Sequence, residues 1–281
     1  MLFDQIEPPL KHRAFTRRHN ANWYSWSRFF RQEFRQFRQS ISSLHQPELL
    51  YIKDHKDYNY TYSAVFEKKD EPFMRDFKHF AFSLYHFDPK DRLNFFTGMI
   101  DSQITDQYYH KIISLIRVVI TRDLKDPMAA LYAPLTPGKA QSDFPLHCDL
   151  YIPKILFNVF GKVATDGSGR STFLPLDTFF NLLNKVPSMP VDIRNQIKNI
   201  FKEELKSDHY EKFYSLLYNE ENSWSADLKK VLAKAKISIG LQKGEGYMIN
   251  DRVWMHGRDR TTGGISRKRL HRLIFTNIYQ K

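Results

Sequence analysis

The sequence predicts an α+β protein with a strand-rich second half, helices in the first half and a long helical insertion. Three observations support this prediction. Short apolar runs, typical of buried strands, recur from residue 128 onward. Apolar residues spaced as on one helix face mark residues 72–88 and about 103–121. Residues of about 176–236 mix Lys and Glu over segments of helical character, so most of that charge is expected on a solvated face.

The predicted core covers about residues 128–279, interrupted by the insertion. Its strands are expected at residues 128–135, 155–160, 237–240, 246–249, 253–256 and 269–279. Glycines and polar residues at 165–170 predict a turn. Inside the insertion, three helices are expected, near residues 190–206, 209–219 and 225–236. Residues 58–66 alternate and predict a further strand. No repeat or low-complexity linker divides the 281 residues, so we expect one domain.

Residues 11–40 form a basic and aromatic N-terminal segment with a helical pattern from about residue 25. One face carries the arginines Arg28, Arg31, Arg35 and Arg38. The other carries the aromatic side chains Trp26, Phe29, Phe30, Phe34 and Phe37. Two interpretations stay open: a surface helix packed on the core, or an interfacial helix on an anionic membrane. Nucleic acid is a weaker partner for this face, because no nucleic-acid-binding motif accompanies it.

Charge and composition narrow the class of partner. The formal net charge is +12 and the sequence pI is about 9.5, which favours an acidic substrate or an anionic surface. A single cysteine excludes an intramolecular disulfide and fits a reducing compartment. Neither a signal peptide nor an apolar run of membrane-spanning length is evident. We therefore expect a cytoplasmic protein, with peripheral attachment to the inner face of the cytoplasmic membrane as the alternative suggested by the N-terminal segment.

Two segments about a hundred residues apart carry candidate metal ligands. His147 and Asp149 lie two positions apart, so in an extended strand their side chains share a face, with Cys148 on the other. His256 lies in a later strand. Two histidines and one carboxylate occupy one face of Fe(II) and leave three positions open for co-substrates. A zinc hydrolase could use the same ligands but would not account for the basic residues that follow His256: Arg267, Lys268, Arg269 and Arg272. Arginine is suited to bidentate binding of a carboxylate.

The segment from Gly244 to Arg258 resembles the distal-histidine segment of Fe(II)/2-oxoglutarate dioxygenases of the taurine dioxygenase and clavaminate synthase type. The resemblance covers roughly residues 144–176 and 240–279. It implies a double-stranded β-helix (jelly-roll) core, and iron held by His147, Asp149 and His256. It also implies that Thr172 and a C-terminal arginine bind 2-oxoglutarate. The candidates for that arginine, in order of preference, are Arg269, Arg272 and Arg267.

The same resemblance implies a hydroxylase that consumes 2-oxoglutarate and O2. Basic charge and the N-terminal segment are similar to features of the Kdo hydroxylases, which act on the acidic sugar Kdo of lipid A precursors. That similarity makes a lipid-linked Kdo sugar the first expectation. A soluble hydroxylase of a small acidic metabolite or amino acid is the second. A non-catalytic jelly-roll module that binds nucleic acid or peptide is the third.

Overall fold

The computed structural model describes residues 11–14, 22–25, 93–97, 129–135, 143–149, 155–164, 166–203, 208–262 and 269–276. Four predicted features lie outside these residues: the N-terminal helix from about residue 25, the strand at 58–66, and the helices at 72–88 and 103–121. The arginines Arg28, Arg31, Arg35 and Arg38 lie outside them as well. None of the described helices combines the length and the apolar character that a membrane crossing needs.

Eleven described strands form two sheets. They are β1 (Lys11–Ala14), β2 (Asn22–Ser25), β3 (Leu93–Thr97), β4 (Ala129–Leu135), β5 (Phe144–His147), β6 (Ile155–Lys162), β7 (Ser171–Pro175), β8 (Ile237–Ile239), β9 (Gly246–Asn250), β10 (Trp254–Arg258) and β11 (Arg269–Thr276). The larger sheet has the order β1-β2-β3-β9-β6-β11-β4, and the smaller has the order β5-β10-β7-β8. All pairs are antiparallel except β2 with β3. The strands predicted from residue 128 onward are confirmed, whereas β1, β2 and β3 were not predicted.

The helical insertion contains four described helices, not the three that were predicted. They are α1 (Leu176–Leu183), α2 (Val191–Lys202), α3 (His209–Tyr218) and α4 (Ser225–Ala235). The helix that was not predicted, α1, starts directly after β7. Pro175 ends the strand because it has no backbone N–H to donate, and its φ of −58° suits the start of a helix. Its apolar positions Leu176, Phe179 and Leu183 all face the core.

The smaller sheet is covered on both faces by apolar side chains. Between the sheets lie Phe173 and Trp254, packed with Phe95 and Tyr247 of the larger sheet. On the opposite face, other strand residues pack against the helices; they are Leu146, Cys148, Leu174 and Met255. Side chains alternate along a strand, so His256 shares the inner face with Trp254. Cys148 is fully buried on the helical side, as the sequence predicted.

The turn predicted at residues 165–170 is present over its described residues, 166–170, and lies between β6 and β7. Asp166 accepts hydrogen bonds from the backbone N–H and the hydroxyl of Ser168, at 3.0 and 2.6 Å. Gly167 has a φ of 71°, which favours glycine. The hydroxyl of Thr262 donates to Asp166 at 3.1 Å. The turn is therefore tied to the chain just beyond β10.

Gly257 belongs to β10, which lies between β5 and β7, and a larger residue at this position would push these strands apart. A Cβ there would lie 2.6 Å from the carbonyl oxygen of Phe144, 2.9 Å from that of Pro145 and 2.9 Å from the hydroxyl of Thr172. We expect Gly257→Ala to lower the free energy of unfolding by about 2–3 kcal/mol, the usual cost of overpacking. Urea unfolding measures it. Gly240→Ala is the matched control, because its Cβ would meet only Nε of Arg170 at 3.8 Å. Equal stabilities of the two variants would refute this packing argument.

Candidate metal centre

The inner face of the smaller sheet brings the three predicted metal ligands together. His147 in β5 and His256 in β10 are register partners, and their ring centroids are 4.3 Å apart. Asp149 follows β5 by two residues and turns toward both rings. Its carboxylate oxygens lie 3.2 Å from Nε2 of His147 and 3.7 Å from Nε2 of His256. One ligand atom from each residue falls within 4.8 Å of the others, so the three side chains could hold a metal ion.

A polar group lies behind each of the two imidazoles. Nδ1 of His147 donates to the carbonyl oxygen of Pro145 at 2.9 Å, which leaves Nε2 free to bind a metal. Nδ1 of His256 lies 3.2 Å from the fully buried carboxylate of Asp251. Among the described residues, both ring nitrogens of His256 and both carboxyl oxygens of Asp251 are buried with no hydrogen-bond partner. A metal ion would satisfy Nε2 and would fix the tautomer in which Nδ1 carries the proton, so the residues present fit a bound metal.

The electrostatics favour the protonation states that a metal needs. Burial lowers the pKa of His256 to about 4 and lowers that of His147, with the neighbouring His256 adding to the effect. Burial would raise the pKa of Asp149, but the hydrogen bond with His147 and the nearby His256 and Arg272 outweigh it. The pKa of Asp149 therefore lies well below its usual range. At neutral pH the site offers two neutral imidazoles and one carboxylate, ready to bind a cation.

We expect the metal-free protein to lose stability as the pH falls from about 6.5 to about 4. An unfolded histidine takes up a proton near pH 6.5, whereas buried His256 resists until about 4. The unfolded chain then binds more protons, so acid favours it, by roughly 3 kcal/mol over this window. Urea unfolding with chelator at about pH 7 and about pH 4.5 measures the loss. In His256→Asn the loss of stability should be smaller by about 2 kcal/mol. An identical loss in wild type and variant would contradict the attribution of this pH dependence to His256.

Asp251 is a buried residue of the site that the sequence did not single out. Burial and the nearby Asp149 raise its pKa well above the usual range. We expect Asp251→Ala to weaken Fe(II) binding by about 10- to 100-fold, because His256 loses the group that orients its ring. Asp251→Asn keeps an oxygen acceptor and should lose much less. Equilibrium dialysis with Fe(II) under anaerobic conditions tests both variants, and unchanged affinity in Asp251→Ala would rule out the orienting role.

Arg272 lies beside the metal ligands, one of three positions predicted for co-substrate binding. Its Nη1 is 3.1 Å from Oδ2 of Asp149, and its Nε donates to the side-chain oxygen of Asn158 at 2.8 Å. The hydroxyl of Tyr247 also hydrogen-bonds with it. Asn158 is the polar residue that interrupts the apolar strand β6, and this interruption could have marked Asn158 as a candidate site residue from the sequence. Arg272 is thus a half-buried cation held by side chains of β6 and β9.

Of the other predicted co-substrate residues, Thr172 is the one whose side chain the structure describes. Thr172 opposes Gly257, whereas Phe173 opposes His256. Because side chains alternate, the side chain of Thr172 points to the face opposite His256, and Ser171 is the hydroxyl residue of β7 on the inner face. Arg269 begins β11, but its side chain, like the whole of Arg267, lies outside the described residues.

Comparisons with known proteins give a fold and no sequence family. No family model and no curated protein matches the chain. The structure is similar to asparagine oxygenase in complex with Fe(II), 2S,3S-3-hydroxyasparagine and succinate, with a TM-score of 0.55 and 11% identity. That match covers 91% of this chain and 93% of the other. A second asparagine oxygenase structure gives a TM-score of 0.54 at 11% identity, with the same coverage of both chains.

A mutant of the non-heme iron oxygenase OrfP, in complex with (3S)-hydroxy-L-Arg, is also similar. The TM-score is 0.50 at 11% identity, over 91% of this chain and 94% of the other. Each of these similarities covers 91% of this chain. The chain therefore has an overall fold similar to that of these oxygenases, built from two mostly antiparallel sheets and four described helices.

Proposed function

We propose that the protein is an Fe(II)- and 2-oxoglutarate-dependent hydroxylase of a small amino acid. The observation that carries the proposal is the meeting of His147, Asp149 and His256 within 4.8 Å on the inner face of an oxygenase fold. Two imidazoles and one carboxylate bind one face of Fe(II), and the remaining positions stay open to co-substrates. Arg272, beside Asp149, supplies the cation that an incoming carboxylate needs.

The residues of the site have separable roles in this chemistry. His147, Asp149 and His256 would hold the iron, and Asp251 and the carbonyl of Pro145 keep the imidazoles oriented. Bound iron would supply the oxygen chemistry, in which 2-oxoglutarate and O2 yield succinate, CO2 and one oxygen atom inserted into a C–H bond. Apolar residues of the inner face, such as Phe173 and Trp254, exclude water from the reacting groups.

Arg272 suits the end of 2-oxoglutarate that binds near the iron. Its guanidinium already contacts a ligand carboxylate at 3.1 Å and is held by Asn158, so a second carboxylate would meet a positioned cation. The far carboxylate then needs another basic residue, and the sequence candidates for it are Arg269 and Arg267. Ser171 is a buried hydroxyl on the inner face of β7 and is a better candidate than Thr172 for contact with 2-oxoglutarate.

The substrate class is inferred from the titles of the similar structures. Asparagine oxygenase is in complex with 2S,3S-3-hydroxyasparagine, and the OrfP mutant with (3S)-hydroxy-L-Arg, so both proteins accommodate an amino acid. An amino acid carries a carboxylate that a basic residue of the site can bind. The net charge of +12 supports the second candidate, the acidic Kdo sugar of a lipid A precursor at a membrane surface, which the N-terminal arginines suggested.

A panel assay tests the proposal. Purified protein with Fe(II), 2-oxoglutarate and O2 is incubated with each of the common L-amino acids, and separately with a Kdo-bearing lipid A precursor. Succinate is measured, together with a mass gain of one oxygen atom in the substrate. We expect succinate formation and the gain of one oxygen atom with at least one polar amino acid. Oxygen gain in the lipid precursor alone would favour the second candidate. The absence of succinate under all conditions would refute the proposal.

A further inference from the structure

The helical insertion brings an aromatic ring to the rim of the candidate metal centre. Tyr210, in the first turn of α3, contacts the ring of His147 edge-on, with centroids 6.1 Å apart and planes at 84°. Phe144 of β5 contacts the same imidazole at 4.4 Å and 76°. One ring comes from the insertion and the other from the core strand. Both rings contact the imidazole of His147.

α3 is fixed against β5, so the position of Tyr210 is set by the fold. The hydroxyl of Tyr218 donates to the carbonyl oxygen of Leu146 at 2.6 Å, and β5 is an edge strand of its sheet. Tyr210, Tyr214 and Tyr218 recur every fourth residue and share one helix face. Their rings pack in succession, at 5.9 and 5.1 Å between centroids. This tyrosine face runs along β5 from a buried anchor at Tyr218 to the imidazole of His147.

The rim is also the open side of the site. Phe144 is 43% exposed, an unusual exposure for a large apolar ring beside a buried polar centre. Tyr210 is half-buried, and the side chain of Asp149 is 25% exposed, whereas both histidines are almost fully buried. Among the described residues, a molecule that approaches the ligands from solvent therefore passes between an aromatic ring of α3 and one of β5.

We propose that Tyr210, together with Phe144, forms the substrate-side wall of the site and selects the side chain of the amino acid. This inference rests on the proposed function. Planar amide and guanidinium groups pack well against aromatic rings, and a guanidinium gains further from the ring quadrupole. A side-chain carboxylate would instead meet the negative faces of the two rings and be disfavoured. The wall thus favours L-asparagine or L-arginine over L-aspartate.

The phenol of Tyr210 can add a directed hydrogen bond. A phenol is protonated at neutral pH, so its hydroxyl is a donor and fits an amide oxygen or the carboxylate of the amino acid. Separating this contribution from that of the ring requires two substitutions, Tyr210→Phe and Tyr210→Ala.

The test is binding of the three amino acids to protein loaded with Fe(II) and 2-oxoglutarate without O2, measured by calorimetry. The wild type should bind L-asparagine or L-arginine at least tenfold more tightly than L-aspartate. Tyr210→Ala should weaken that binding about tenfold, and Tyr210→Phe by less. Glu211→Ala is the matched control, since Glu211 is the exposed neighbour on the same helix and should change nothing. Dialysis of Tyr210→Ala against Fe(II) shows whether the metal centre survives.

The outcomes separate this inference from the proposed function. Suppose that the wild type forms succinate and binds an amino acid that Tyr210→Ala binds equally well. The selective role of Tyr210 would then be refuted, while the proposed hydroxylase function would be retained. Tighter binding of L-aspartate than of L-asparagine and L-arginine would also refute the proposed selectivity of the wall. If the wild type binds no Fe(II) and forms no succinate, the proposed function itself fails. Retained Fe(II) occupancy in Tyr210→Ala, with weakened amino-acid binding, is the result we expect.

Discussion

Replacement of Asp149 by alanine is expected to abolish iron-dependent turnover and to weaken Fe(II) binding by more than about 100-fold. Asp149 is the only carboxylate among the three described ligands, and its oxygens lie between the two imidazoles. Without it, two neutral imidazoles remain, and the negative charge that attracts a hard cation is gone. Fe(II) binding by dialysis and succinate formation from 2-oxoglutarate measure the two effects.

Folding effects must be separated from this loss of binding. Asp149→Ala also leaves Arg272 without its carboxylate partner, which can cost stability. Asp149→Asn preserves the shape of the side chain and removes only the charge, so it should lose iron while remaining folded. Asp192→Ala, an exposed carboxylate at the start of α2, is the matched control and should bind iron normally. Normal succinate formation by Asp149→Asn would disprove the ligand assignment.

Replacement of Arg272 should impair the use of 2-oxoglutarate while sparing iron. Arg272→Ala removes a positioned cation beside Asp149, and charge-assisted hydrogen bonds contribute roughly 3 kcal/mol, or about 100-fold in affinity. We expect KM for 2-oxoglutarate to rise by that factor. All three ligands remain, so Fe(II) binding should persist. Arg272→Lys keeps the charge but not the planar fork, so an intermediate effect of about tenfold is expected.

The control for this prediction is another arginine. Arg260→Ala removes an exposed guanidinium after β10, and KM for 2-oxoglutarate should not change. If Arg272→Ala lost Fe(II) and 2-oxoglutarate binding together, Arg272 would be supporting Asp149 and not the co-substrate. An unchanged KM would show that 2-oxoglutarate depends on other residues, with Arg269 and Arg267 as the next to examine.

The metal ligands could be predicted from the sequence because their geometry is local. A spacing of two residues in an extended chain places His147 and Asp149 on one side, whatever the rest of the fold does. His256 joins them because its strand, β10, pairs with β5 in a register that places His256 directly opposite His147. The apolar runs of β6, β9 and β11 likewise identify buried strands from composition alone.

Residues that depend on register or long-range contact could not be predicted in the same way. A shift of one position moves a side chain to the other face of a sheet, and the resemblance that suggested Thr172 carries no register, so it could not show that Ser171 is the hydroxyl residue of β7 on the inner face. Asp251 and Tyr247 reach the centre from separate strands or turns, so no sequence spacing relates them to His256 or Arg272. The contact of Tyr210 with His147 depends on how α3 packs along β5, which no periodicity reveals.

The measurement that tests the central claim most directly is release of CO2 from 2-oxoglutarate labelled at C1, as Fe(II) is added to metal-free wild-type protein under air. The arrangement of His147, Asp149 and His256 predicts that release rises with Fe(II) and saturates at one ion per chain. It also predicts that Zn(II) does not substitute. A rate that is independent of Fe(II), or equal in wild type and Asp149→Asn, would contradict an iron centre at these residues.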